Sequence, residues 1–280
     1  MAITTANPQN QNPLDTGPVS ARQYGELATA ELEHFLALLE QLEPADWGRP
    51  TACSLWDVRD VVAHQAGHIQ SGAGLWGTLA QSNPFAIGRY LARRMNMLDA
   101  VNQRQVDMRR PRPIERVVAE LREGTPGSIA ARQRIGRIAG SVRVPVPPGG
   151  TMPMRTLLWR IFPRDMWIHR LDIADATGRP FAVTAVHDGV LTAMAVEDVA
   201  RWMRKRAHGM EITLHLPGPA GGHWQLSEGP GQPVHLEMRL EDFLRRSSGR
   251  LSPEAALERV SSSAPPEPTI EALRHMLAPY

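Results

Sequence analysis

One cysteine stands in the 280 residues, and Lys205 is the one lysine. Cys53 alone cannot close an internal disulfide, which fits a reducing cytoplasm. With one lysine, arginine carries nearly all of the positive charge, and the formal net charge is only +2. That balance gives no electrostatic reason to expect a nucleic-acid partner. A run of about 18 apolar residues is also missing, so no spanning helix and no membrane partner are expected. Residues 1–18 are polar, with several Asn, Gln and Pro, and lack the apolar core of a secretion signal. They read as a disordered lead. Arginine is always charged and forked to match a carboxylate, so an arginine-rich surface fits an anionic small molecule at least as well as a phosphate backbone.

What is present is helical periodicity. Leu32, Phe35, Leu36, Leu39 and Leu42 set one buried stripe on a helix expected over 21–41. A second helix is expected from Ser54, with Asp57 completing a capping box. It runs through Val58, Val61, Val62 and His64, and Gly67, Gly72, Gly74 and Gly77 weaken its later half. Residues 80–112 read as a long connection. The third helix starts at Ile114, and Gly124-Thr125-Pro126-Gly127 is expected to interrupt it. The fourth spans 153–177, ends on Gly178, and carries Pro163 as a kink one turn before Asp165. Beyond Pro180 the pattern shifts to a helix over 185–205 and strands over 210–216, 223–227 and 233–239. Short helices over 241–247 and 270–277 close the chain, with 261–268 as a loop. The fold class expected is α+β: a lead over 1–18, a four-helix bundle over 19–180, and a small α+β domain over 181–280.

Two stretches carry chemistry. Trp56 to His64 places a histidine after an apolar stripe. Arg164 to Asp172 places Asp165 and His169 four residues apart, hence on one helical face. Together His64, Asp165 and His169 would form a two-histidine, one-carboxylate metal site with open positions. Spacing alone leaves the bland reading open, since most lone histidines are surface or hydrogen-bonded core residues. His68 is a competing ligand or an exposed residue. Asp172, near His169, orients a ligand, caps a helix or pairs with Arg170. Arg89, Arg93 and Arg94 face a cleft or simply solvent, and Cys53 reads as a packed cysteine.

Pro50 to His64 resembles the second-helix signature of the mycothiol-dependent maleylpyruvate isomerase family, part of the wider DinB-like group of metal-binding four-helix bundles. The fourth-helix signature is similar: a carboxylate, three residues, a histidine, then an aspartate and a terminal glycine. Here these are Asp165, His169, Asp172 and Gly178. Gly249-Arg250 resembles the closing part of that family's sterol-carrier-like second domain. The resemblance covers about residues 20–260 and implies His64, Asp165 and His169 as metal ligands. It further implies a divalent ion, with zinc expected, mycothiol or a similar small thiol as cofactor, and an anionic electrophile as substrate. Asp165 stands where the family commonly has glutamate, one methylene longer. Ligation by the shorter side chain requires a closer helix or a tilt at Pro163.

The implied activity is thiol addition to an electrophile, as cis-trans isomerase or thiol S-transferase, in the cytoplasm, by a monomer or dimer. Arg250 is the candidate for binding thiol cofactor or substrate carboxylate, or else a structural arginine. The rivals are a metal-dependent hydrolase that activates water and a non-enzymatic module holding an apolar ligand.

Overall fold

The computed structural model describes residues 19–72, 84–145, 150–207 and 209–278. The expected lead over 1–18 lies outside them, as do Gly74, Gly77 and the end of the second helix as read from sequence. The chain divides into two compact units, Val19–Phe181 and a second within Ala182–Tyr280. Among the described residues no helix is long and apolar enough to cross a membrane.

The first unit begins with α1 (Ala21–Leu39), opened by a capping box in which Ser20 and Gln23 satisfy each other's backbone N–H groups. Its buried face carries Tyr24, Leu27, Leu32, Phe35, Leu38 and Leu39. α2 (Val58–Gly72) begins one turn later than Ser54. Asp57 caps it, accepting the Asp60 N–H at 2.8 Å. Thr51 Oγ1 donates to the Trp56 carbonyl at 2.8 Å, and Pro50 bridges to Asp57; these bonds hold 51–56 as a turn and displace the expected box.

The long connection is largely helical. α3 (Pro84–Leu91) and α4 (Met97–Arg109) lie within it, and α4 packs along α2. α4 turns Gln103, Gln105 and Arg109 inward beside Ala100 and Val106, so it carries no apolar stripe to read. Gly67 explains how closely the two helices run: a Cβ there would stand 2.5 Å from Gln105 Cβ. The glycine that weakens α2 lets α4 reach its face.

α5 (Ile114–Ile138) passes unbroken through Pro126. An interior proline costs about 3 kcal/mol in an isolated helix. Here Val117, Leu121, Thr125, Ser128, Ala131 and Arg132 keep one buried face continuous, and Thr125 Oγ1 donates to the Leu121 carbonyl. Tertiary burial outweighs the local signal.

β1 (Arg143–Pro145) and β2 (Thr151–Pro153) form a small antiparallel pair. A helical turn and a π-helical segment, Leu157–Ile161, then feed α6 (Phe162–Thr177). The wide π turn precedes Pro163, which supplies no N–H of its own. Gly178 ends α6 in the left-handed region at φ 67°. Residues of α1, α2, α5 and α6 share one core, including Phe35, Val61, Val62, Leu121, Met166 and Ile173. Glu31 and Arg170 are both buried and joined at 2.8 Å.

The second unit holds α7 (Asp188–Met203), β3 (Ile212–Leu216), β4 (Gly222–Ser227), β5 (Val234–Glu237), α8 (Leu240–Ser247), α9 (Pro253–Leu257), β6 (Ser261–Ser262) and α10 (Pro266–His275). α9 and β6 fall where no element was expected, and α10 starts inside the expected loop. The sheet order is β4-β3-β5-β6, with β3 and β5 parallel. Ile212, Leu214, Leu216, Trp224, Leu226, Val234 and Leu236 are buried, and α7 and α10 pack on the sheet. The alternate residues form a polar outer face.

Candidate metal centre

His64 sits in the middle of α2, with 3% of its surface exposed. Its Nδ1 lies 3.2 Å from Gln105 Oε1 on α4. With Gln105 accepting, Nε2 is left to face α6, where it stands 3.5 Å from Asp165 Oδ2. His169, one turn beyond Asp165, is anchored the same way. Its Nδ1 meets Asp172 Oδ2 at 2.8 Å, and its Nε2 stands 3.8 Å from Asp165 Oδ1. One ligand atom each from His64, Asp165 and His169 fall within 4.8 Å of one another.

Metal bonds of about 2.0–2.1 Å at tetrahedral angles put ligand atoms about 3.3–3.4 Å apart. The two carboxylate–imidazole separations lie close to that spacing. The donor set, two imidazoles and one carboxylate, leaves a fourth position open, as a catalytic divalent site does. These residues therefore fit a divalent ion. Aspartate in place of glutamate does not keep the carboxylate from the imidazoles.

Charge is concentrated here. Burial works against ionisation of Asp165, but the charge of His169 and hydrogen bonds from His64 and His68 hold its carboxyl well below the usual range. Burial also works against the His169 imidazolium. Asp165, Asp172 and Cys53 override it and raise its pKa to about 10. The ligand-free centre is thus a buried ion pair.

Several neighbours were not singled out from the sequence. Gln65 Nε2 donates to Asp165 Oδ2 at 2.8 Å. Trp56 lies 4.9 Å from the His64 ring and 6.1 Å from the His169 ring. Its indole N–H is fixed on Gln103 Oε1 at 2.9 Å. Arg132 on α5 is 4% exposed, donates to the His68 carbonyl at 2.8 Å and lies over the Phe162 ring at 4.2 Å. Its Nε has no hydrogen-bond partner among the described residues. Burial lowers its pKa, with Tyr24 and Asp165 opposing. No periodicity marks such residues, because their partners come from other helices.

The remaining sequence candidates fall as follows. His68 Nδ1 stands 3.4 Å from Asp165 Oδ2, and burial lowers its pKa to about 4, so it is neutral at pH 7. Asp172 is buried behind His169 and also lies 3.7 Å from the Cys53 thiol. Arg89 is exposed, over the Tyr90 ring and 3.4 Å from Asp107, and Arg93 and Arg94 are exposed beyond α3. Arg250 belongs to the second unit. It follows Gly249, whose φ is 78°, and its N–H meets the Arg245 carbonyl at 2.8 Å.

No curated protein matches this chain. Two solved structures are similar to it, the crystal structure of the mycothiol-dependent maleylpyruvate isomerase and that of a histidine-to-alanine mutant. Each has a TM-score of 0.58 at 19% sequence identity, over 92% of this chain and 98% of the other. At that identity the likeness is one of fold. Residues 28–174 match the family model described as the mycothiol maleylpyruvate isomerase N-terminal domain. That span holds more than half of the chain and all of His64, Asp165 and His169, and the chain belongs to that family.

Proposed function

We propose that this chain is a metal-dependent isomerase that uses mycothiol to convert a cis-enedioyl acid of the maleylpyruvate type into its trans form. The observation that carries the reading is the convergence of His64, Asp165 and His169 within the family-matched segment. Zinc is the ion proposed, since two imidazoles and a carboxylate form one of its usual catalytic donor sets. A reducing cytoplasm, where a small thiol stays reduced, is the proposed compartment.

An ion bound there supplies positive charge that keeps a thiol ionised at neutral pH. The reaction class is thiol addition across a double bond, rotation about the resulting single bond, and elimination. The protein's part is orientation. Asp172 accepts the His169 Nδ1–H and Gln105 accepts the His64 Nδ1–H, which turns both Nε2 atoms inward. Trp56 lies against both imidazole rings and, through its indole N–H on Gln103, is fixed there.

Replacing Asp172 by alanine is expected to weaken metal affinity about 10–100-fold through loss of this orientation. Competition against a chelator reads that change. An unchanged affinity would remove Asp172 from the role.

Arg132, buried over Phe162 in the first unit, is proposed for a substrate carboxylate, and Arg250 of the second unit is a separate candidate for binding thiol or carboxylate. Loss of a charge-assisted bond costs about 1.5–3 kcal/mol, or about 10–100-fold in KM. Arg132→Met and Arg250→Met are each expected to raise KM with metal content retained. A fall in metal content or melting temperature at unchanged KM would mark the residue as structural.

The deciding experiment measures metal content of freshly purified protein and then isomerisation of maleylpyruvate with and without mycothiol. Near-stoichiometric metal and absolute thiol dependence are expected. Turnover without thiol would point to water activation instead. A stable thioether product, formed with loss of a leaving group, would make the chain an S-transferase.

A further inference from the structure

The outer face of the second unit's sheet carries a row of side chains set by strand register. His215 on β3 pairs with His223 on β4 and with Glu237 on β5. The neighbouring row pairs Thr213 with Gln225 and His235. These residues line a groove of about 580 Å³. Its inward-facing counterparts are apolar and buried, so the imidazoles are not required by the core.

One ring of the row is held in an orientation suited to ligation. His215 Nδ1 lies 2.7 Å from Glu237 Oε2. With the carboxylate accepting, the tautomer is fixed and the Nε2 lone pair is presented away from Glu237. His223 stacks on His215, with ring centroids 3.9 Å apart and planes within 6°. His223 is exposed, so its ring is free to turn from the stack and aim beside its partner.

We propose that His215 and His223 form a surface site for a divalent transition ion, with Glu237 positioning His215. Neutral imidazole selects nickel, cobalt, copper or zinc over the oxygen-preferring magnesium and calcium. Two protein donors leave most of the coordination sphere open in the groove. His235, held through Nδ1 on Thr213 Oγ1 at 2.6 Å, lies in the adjoining row. The site shares no residue with the helical centre and does not rest on the proposed reaction.

The test titrates nickel into the full-length, metal-stripped chain carrying His64→Ala and His169→Ala, followed by calorimetry. One equivalent is expected, abolished by adding either His215→Ala or His223→Ala. Glu237→Gln is expected to weaken binding about 10–100-fold at unchanged stoichiometry. Copper loaded at the same site should show hyperfine coupling to two imidazole nitrogens. If the His64/His169 variant does not fold, the wild-type chain serves, its nickel stoichiometry falling by one with His223→Ala. Stoichiometry unmoved by His215→Ala and His223→Ala, or one ion shared between two copies, would overturn the proposal. Failure of the isomerase assay would leave these measurements untouched.

Discussion

Replacing His169 by alanine is expected to lower kcat/KM for thiol-dependent isomerisation by at least about 10³-fold, because a catalytic ion contributes several kcal/mol of charge stabilisation. The loss follows from geometry. His169 is one of two imidazoles in the cluster, and Asp165 and His64 alone make a poor chelate. Metal content should fall with activity, and His64→Ala should behave in the same way. The three side chains act on one ion, so the His64/His169 double variant should be little worse than either single variant. Additive losses would mean that the residues act separately and that the shared centre is wrong. The control is fold. His169→Ala removes one charge-assisted hydrogen bond from the buried Asp172, a loss of about 1.5–3 kcal/mol. Folding stability lowered by no more than that, with metal and activity lost, separates loss of the ion from loss of the fold.

The parts of this centre that share one helix were legible in the sequence. Spacing marks Asp165 and His169 as candidates, the apolar stripe leads to His64, and the family resemblance implies the three as ligands. Each of the first two signals depends on one element and its period. The parts supplied by other helices were not legible. α4 looked like connection because Gln103, Gln105 and Arg109 face inward, where a periodicity search looks for leucine. Two of these hold the site: Gln105 meets His64 and Gln103 fixes Trp56. A helix that serves a polar centre hides itself in proportion to that service.

Pro126 and Ser54 misled for a related reason. Both are true local signals, one for a break and one for a cap, and both lose to longer-range packing. α5 keeps its buried face through the proline, and the turn before α2 is held by Thr51 and Pro50. Gly178 did not mislead, because a left-handed cap is a property of one residue. Position 165 carries aspartate where the family resemblance implies the longer glutamate. Its carboxylate nevertheless stands 3.5 Å and 3.8 Å from the two imidazoles, after a π turn and a proline that set where α6 begins.

The second large effect is on pH. In the ligand-free protein His169 has its pKa raised to about 10, so near neutrality its Nε2 carries a proton that a metal ion must displace. Metal uptake should release about one proton, and apparent affinity should rise about tenfold per pH unit, hence about 100-fold between pH 6 and 8. Calorimetry in two buffers of different ionisation enthalpy counts the proton. Stability of the metal-free protein should run the other way. A histidine whose pKa is raised by folding contributes fully below its unfolded value of about 6.5 and loses that contribution as pH climbs towards 10. Asp165, held well below the usual carboxylate range, contributes above about 3.9 and loses its contribution as pH falls further. His68, whose pKa burial lowers to about 4, works the other way: its contribution is full above about 6.5 and is lost as pH falls towards 4. The metal-free chain is therefore expected to be most stable near about pH 6.5, between the two histidines' losses. Alkaline pH should favour the ion while weakening the ligand-free fold. A metal affinity flat between pH 6 and 8 would mean that Nε2 of His169 carries no proton to displace and would overturn the raised pKa.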